Sequence, residues 1–210
     1  YPNLELIVID GNSNDGTKEK LESRQEDFQI LISEPDNGQY EAIQKGMNLA
    51  TGEVVSWLNA DDVYFPWTLR SVSRVFKEYE DVNWIAGLPA FLNSEGNLTH
   101  IYNTLSARPK KLIQNGGFRK KIFGYLQQES MFFRRELWNS SVGLNLNYEL
   151  AADFELWTRF AEQTSLVSVN IPLAGFRISE NSRSKKMADK YEIDVKNIVK
   201  KEPLMYKLIL

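Results

Sequence analysis

Residues 1–92 repeat one pattern: a short apolar run, a polar loop, then a stretch with helical apolar spacing. "LELIVID" (4–10) leads through a Gly/Asn/Ser loop into the helix-like "TKEKLESR". "QILIS" (29–33) leads through "DNG" turn chemistry into "QYEAIQKGMNLA" (39–50), where Tyr40, Ile43, Met47 and Ala50 share a face. "TG" stops that helix, and "EVVSWL" (53–58) ends in "NADD". "FPWTLRSVSRVFKEYE" then places Leu69, Val72, Val75, Phe76 and Tyr79 on one side before a further strand, "WIAGLPAFL". Such alternation predicts an α/β fold of Rossmann-like type, a mostly parallel sheet with helices on both faces. In these sheets ligands gather beyond the carboxyl ends of the strands. Both acidic clusters, "DGNSND" and "NADD", directly follow apolar runs, so both are expected on one sheet edge.

The second half is less regular. "HIYNTLSARPKKLIQNGGFRKKIFGYLQQESMFFRREL" mixes aromatic, Gly and basic residues. "ELAADFELWTRFAEQ" (149–163) reads as a helix, with Leu150, Phe154, Trp157 and Phe160 or Ala161 on one stripe. "LVSVNIPLAGFRIS" (166–179) reads as strand-like segments broken by Pro172 and Gly175, and "KKMADKYEIDVKNIVKK" as a charged C-terminal helix. The organisation expected is one structural domain, with halves over 1–92 and 93–185 and a helical tail over 186–210.

Composition narrows the chemistry. The 210 residues contain no Cys and a single His, His100. Disulfides, thiolate zinc sites, cysteine nucleophiles, Ser-His pairs and multi-histidine metal centres are thereby excluded. Acid–base work falls to Asp or Glu, with Lys and Tyr behind them. A net charge of −3 gives no basic face for nucleic acid; the runs "RPKK" (108–111) and "RKK" (119–121) read as solvated charge, with a local phosphate-binding surface as the alternative. No apolar run approaches the roughly 18 residues of a membrane span, and no signal-peptide pattern opens the sequence. The expectation is a cytoplasmic protein, in which the sequons at Asn97 and Asn139 are chance matches.

"VIDGNSNDGT" (8–17) nearly spaces its Asp and Asn residues like an EF-hand calcium loop. That loop needs Gly at about its sixth position and a bidentate Glu at about its twelfth. Counted from Asp10, those positions hold Asp15 and Leu21. The cluster is therefore not a calcium loop.

"VIDGNSNDGT", "SEPDNGQYEAIQKGMNLATGEVVSWLNADD", "QQESMFFRRELW" and "ADFELWTRF", in this order and spacing, resemble family 2 glycosyltransferases of the GT-A fold, of the bacterial surface-polysaccharide type. The resemblance runs to about residue 185 and implies a role for several positions. Asp10 would bind the base of a nucleotide-sugar donor, for which a carboxylate accepting a base N–H is suited; as a bare residue it equally suits a turn or helix cap. "NADD" resembles the family's Asp-X-Asp motif, so Asp61 would bind Mg²⁺ or Mn²⁺ bridging the diphosphate. Asn59 replaces the first acid of that motif, and Asp62 would add a contact behind the metal or cap the next helix. Asp36, Gly38 and Lys45 fall where the family makes further donor contacts, although Lys45 also reads as surface. Asp153 takes the place of the family's general base, and its neighbours Ala151, Ala152 and Phe154 would raise a carboxylate pKa toward that use; alone, it also suits a helix-dipole partner. Gln128 and Glu129 correspond to acceptor-binding positions. Arg177 and Arg183 suit diphosphate oxygens, while Ser179 stands where the family has His.

The resemblance thus implies an inverting, metal-dependent transfer of a sugar from a nucleoside-diphosphate-sugar to a glycan or lipid-linked acceptor in polysaccharide biosynthesis. It leaves open peripheral association with the inner face of the membrane. The family pattern also has a strand and helix ahead of "YPNLELIVID", so an N-terminally truncated sheet is expected, with an open edge through which copies could pair. Two rival readings remain. One is a catalytically impaired binding or scaffolding fragment of the same fold. The other is a sugar-nucleotide pyrophosphorylase, which would need an Arg-containing Gly-rich loop that "DGNSNDGT" does not supply.

Overall fold

The computed structural model describes residues 1–102, 108–119, 126–178 and 187–199. Strand, loop and helix alternate over the N-terminal half as its apolar runs predict. β1 (Ile7–Asp10) pairs in parallel with β2 (Ile30–Ser33), Ile7 opposite Ile30 and Asp10 opposite Ser33, with α1 (Thr17–Glu22) on the crossover. α2 (Gln39–Leu49) follows β2, then β3 (Val54–Val55), β4 (Val63–Tyr64) and α3 (Thr68–Glu78).

"WIAGLPAFL" forms two strands where the sequence suggested one, β5 (Trp84–Ala86) and β6 (Ala90–Leu92). The break at Gly87-Leu88-Pro89 has a physical cause. Pro89 has no N–H to donate to a ladder; the Gly87 N–H still extends the pairing of Trp84–Ala86 with Met131–Phe133 to the Ser130 carbonyl, and the Leu88 N–H leaves it for the Ile171 carbonyl. The chain thereby switches sheets. β5 joins a four-stranded sheet ordered β3-β8-β5-β9, with β8 at Met131–Arg134 and β9 at Val167–Ser168. β6 joins a second, ordered β4-β10-β6-β7, with β7 at Leu98–Ile101 and β10 at Ala174–Arg177. Parallel pairing occurs at β1–β2, β5–β9 and β6–β10, and the remaining described pairs are antiparallel.

The remaining helices are α4 (Lys110–Gln114), α5 (Arg135–Ser140), α6 (Ala152–Gln163) and α7 (Ala188–Ile198). The core is an aromatic block between the larger sheet and α6. Trp57 stacks on Trp157 at 5.5 Å between ring centroids, Trp157 on Trp84 at 5.8 Å, and Phe133 meets Phe160 edge-on at 5.0 Å. Such pairs add to the area term that each buried ring contributes. The block holds the end of β3 and the start of α6 in fixed relation, and the candidate site stands on those two ends. Val195 of α7 packs with Ala151 and Phe154, so the described part of the tail closes over the start of α6.

Among the described residues β1 is hydrogen-bonded to β2 alone. Its other edge faces β3 across a cleft of about 2100 Å³. Ile7, Ile9, Ile43 and Met47 line one wall of that cleft and Val55, Leu69, Val72 and Phe76 the other. Glu5 crosses the lower end, accepting hydrogen bonds from the N–H groups of Thr51 and Gly52 at 2.8 and 3.2 Å. At the upper end the walls become polar.

Candidate active site

Asp10 ends β1 with its carboxylate turned inward. It accepts a hydrogen bond from the Ser13 N–H at 3.0 Å, one from the Ser33 hydroxyl at 2.7 Å and one from the Ser13 hydroxyl. Burial alone would raise this carboxyl; the Ser13 and Ser33 donors outweigh it and hold Asp10 below the usual carboxylate range. The Asp36 side chain packs against the next residue: a Cβ on Gly11 would lie 2.8 Å from Asp36 Oδ2, so a larger residue there would displace the Asp36 carboxylate. Asp36 in turn accepts the Gly38 N–H at 2.8 Å. Gly38 has φ of +124°, a backbone state that L side chains rarely adopt, with open space where a Cβ would be. The start of α2 borders the cleft through Gln39 and Tyr40, with Gly38 leaving open space just before them.

The loop after β3 is wired more completely. Gln39 Nε2 donates to Asn59 Oδ1 at 2.6 Å, and Asn59 Nδ2 reaches Asp62 Oδ2 and Gln128 Oε1, each at 3.2 Å. Gln128 Nε2 donates to the Trp57 carbonyl at 2.6 Å. Asp62 also accepts the Arg177 N–H at 3.0 Å. Burial raises the Asp62 carboxyl, Asp61's charge adds to that, and the Arg177 and Asn59 donors partly oppose it. Asp61 differs from its neighbour. It is exposed, and no described residue donates to its carboxylate; only its backbone carbonyl is used, by Arg177 Nε at 2.7 Å.

Asp153 is the second residue of α6, is half-buried, and lines the same cleft. Burial raises its carboxyl, against the hydrogen bonds it receives from the Phe154 N–H and Tyr40. The Tyr40 hydroxyl lies 3.0 Å from Asp153 Oδ1 and 2.9 Å from the Leu150 carbonyl oxygen.

Asp36, Asp61 and Asp153 thus line one cleft, with Asp10 behind Gly11 in its wall. Four other expected positions are placed differently. Lys45 is ion-paired with Glu34, which raises the pKa of its ammonium. The Arg177 guanidinium is spent on the carbonyls of Asp61 and Ser94. Gln128 and Glu129 lie beneath the floor, buried. Glu129 Oε1 has no hydrogen-bond partner, and burial, then the Asp62 charge, push its carboxyl well above the usual range. Ser179 and Arg183 lie outside the described residues. Two features escaped the sequence reading: the Gln39–Asn59–Gln128 chain and Tyr40, whose place in the helical pattern marked it only as part of an apolar face.

Comparison with known proteins decides the family. The sequence model of "Glycosyl transferase family 2" matches residues 1–139. The chain belongs to glycosyl transferase family 2. It is 25% identical over 175 residues to a PGL/p-HBAD biosynthesis glycosyltransferase of Mycobacterium tuberculosis, spanning 79% of this chain and 61% of that relative. Over 80 residues it is 32% identical to an uncharacterised glycosyltransferase of Nostoc sp., spanning 37% of this chain and 25% of that one. Among solved structures, mannosyltransferase PcManGT from Pyrobaculum calidifontis, in complex with GDP-Man and Mn²⁺, superposes with a TM-score of 0.65 at 20% identity, covering 98% of this chain and 58% of that one. S. aureus TarS 1–349 with UDP-GlcNAc gives 0.67 at 12% identity, covering 92% and 56%. These likenesses establish the GT-A fold.

The donor set of this family 2 chain also bears on a cation. Among the described residues no three His, Cys, Asp or Glu side chains converge into a cage. One free carboxylate, Asp61, stands at the mouth of the cleft. That suits a hard divalent ion held through one or two carboxylates, with phosphate oxygens and water completing its shell.

Proposed function

We propose that the chain transfers a sugar from a nucleoside-diphosphate-sugar to a hydroxyl of a glycan or lipid-linked acceptor, with inversion, in polysaccharide biosynthesis. One observation carries the reading: a half-buried carboxylate with a raised pKa, Asp153, lines the same cleft as an exposed carboxylate with no described donor, Asp61, and as the start of α2. Asp10 and Asp36 would hold the nucleoside end from the β1 side, and the Gly38 backbone would allow close approach of the donor. Asp61 would hold Mg²⁺ or Mn²⁺, which when bound supplies Lewis-acid stabilisation of the departing diphosphate. Asp153 would take the proton of the acceptor hydroxyl as it attacks the anomeric carbon. Attack from the face opposite the leaving group inverts that centre without a covalent enzyme intermediate. Lys45 and Arg177 would act at one remove, Lys45 by neutralising Glu34 and Arg177 by fixing the Asp61 loop. Gln128 and Glu129 would support the acceptor side from below. No described helix is long and apolar enough to cross a membrane; the reading places the protein in the cytoplasm, peripheral to the inner face of the membrane when its acceptor is lipid-linked.

A thermal-shift screen of UDP, GDP, dTDP and their sugars, with and without Mn²⁺, tests this reading. One nucleotide class should raise the melting temperature, and only with the metal present. Stabilisation by none of them, or equal stabilisation without metal, would refute it.

The unpaired edge of β1 gives a separate expectation. A row of free backbone groups beside an apolar wall invites pairing with another chain. Light scattering should show concentration-dependent self-association of the 210-residue chain. A strict monomer at every concentration would contradict this.

A further inference from the structure

We propose that Tyr40 is a positioning residue for the base, its hydroxyl proton swinging between the Asp153 carboxylate and the Leu150 carbonyl as Asp153 loses and gains a proton. The inference rests on Asp153 being the base of the proposed reaction, and it begins from a proton count. A phenol hydroxyl has one hydrogen to give, and a carbonyl has none. The Tyr40 oxygen nevertheless sits 2.9 Å from Leu150 O and 3.0 Å from Asp153 Oδ1. Both distances are hydrogen-bonding ones, and both contacts hold a hydrogen only when Asp153 brings its own.

Two arrangements satisfy the count. With Asp153 ionised, Tyr40 donates to the carboxylate in a charge-assisted bond. Once Asp153 Oδ1 has taken the acceptor's proton, that O–H turns to donate to the Tyr40 oxygen and Tyr40 turns its hydrogen to Leu150 O. Asp153 gains one proton and Tyr40 loses none, so no proton need leave the site during the turn. Tyr40 is suited to this because it stays protonated: burial, then the charge of Asp153, raise its pKa far above the working range. Among the described residues, Glu129 acts on Asp153 and Tyr191 of α7 on Tyr40; Asp194 of α7 is engaged by the Leu150 N–H at 3.1 Å.

Position in the chain gives the contact its consequence. Tyr40 is the second residue of α2, two after Gly38. The helix whose start borders the cleft also sets the orientation and proton affinity of the base.

The test reads the carboxyl titration directly, so it does not depend on sugar turnover. Protein labelled with ¹³C at the Asp carboxyls is titrated by NMR, with the Asp153 signal identified by its loss in Asp153→Asn. In Tyr40→Phe the donor to the carboxylate is gone, the ionised form is less favoured, and Asp153 should titrate at higher pH than in the parent. In Tyr40→3-fluorotyrosine the more acidic phenol is a stronger donor, and Asp153 should titrate at lower pH. Opposite shifts in the two variants are the expected result, since a merely structural disturbance has no reason to change sign. The fluorinated protein retains the hydroxyl and carries the test alone if Tyr40→Phe does not fold. An unmoved Asp153 titration in the fluorinated protein, or shifts of the same sign in both, overturns the proposal. Parallel assays separate the two claims. A parent that transfers sugar while Asp153 ignores both variants sinks the Tyr40 proposal alone. An absence of transfer with every donor sinks the reaction reading while the titration still reports on Tyr40.

Discussion

Asp153→Asn is expected to lower sugar transfer by on the order of 10²–10⁴-fold, the usual cost of losing a general base, while leaving nucleotide affinity unchanged. The substitution is nearly isosteric. Its amide oxygen can still accept from the Phe154 N–H and from Tyr40, so the start of α6 keeps its hydrogen bonds. What disappears is the capacity to take a proton. Donor affinity should survive because Asp10, Asp36 and Asp61 belong to other elements than α6. Single-turnover rates and calorimetric binding of the nucleotide separate the two quantities. Glu155 supplies the control. It is engaged by Arg159 through contacts of 2.7–3.0 Å, and Glu155→Gln should leave turnover near that of the parent. A near-normal rate in Asp153→Asn, or an outright loss of nucleotide affinity, would refute the assignment.

Much of this site is legible in the sequence because it lies where local patterns are strongest. An apolar run ending in Asp, followed by Gly and Asn, needs no tertiary information to be placed at the end of a strand. That reasoning expects Asp10 and Asp61 on one edge of the fold; Asp10 ends β1, and its neighbour Gly11 and Asp61 line the same cleft. "ADFELW" likewise opens a helix whose Phe154, Trp157 and Phe160 must face inward, and those residues are buried. Sequence spacing fails where the deciding contact is long-range. "WIAGLPAFL" has the apolar content of one strand, and only the long-range pairing of its halves, one with Met131–Phe133 and the other with Gly175–Arg177, shows that it divides between sheets. Tyr40 has correct helical spacing for an apolar face and is partly used as one. Its hydroxyl has a partner 113 residues away in sequence, and nothing local announces that. Gln128 and Glu129 follow the same logic in reverse. The family resemblance pointed to acceptor contacts there; the fold buries both residues under the floor, where Gln128 props the Trp57 carbonyl and Asn59.

The Asn59 substitution in "NADD" becomes intelligible at the same level. Its amide gives hydrogens to Asp62 and Gln128 and receives one from Gln39. A carboxylate at this position could give none, and it would stand against Asp62, already raised by burial and by Asp61. The amide therefore fits the observed network where an acid would not.

Asp61→Ala, by contrast, should leave the fold intact and remove the metal-dependent part of nucleotide binding. The carboxylate of Asp61 receives no hydrogen bond from any described residue, so its loss leaves no buried group unpaired; exposed changes of this kind usually fall within about 0.5 kcal/mol. The loop is held by other atoms: the Asp61 carbonyl accepts from Arg177 Nε at 2.7 Å, and Asp62 accepts from the Arg177 N–H at 3.0 Å. Asp62 cannot take over the role while its oxygens serve Arg177 and Asn59. The Mn²⁺-dependent gain in nucleotide affinity should fall by at least the roughly 10–100-fold that loss of even an outer-shell partner costs a metal site. Asp62→Ala should do the opposite. It strands the Arg177 N–H and half of the Asn59 amide, costing about 1–3 kcal/mol of stability, while the surviving protein still responds to metal through Asp61. Melting temperatures and nucleotide titrations with and without Mn²⁺, run on both variants, give the crossed pattern that distinguishes a cation ligand from a residue that holds the loop. If Asp61→Ala retains the full metal response, or if Asp62→Ala alone abolishes it, the cation belongs elsewhere in the cleft.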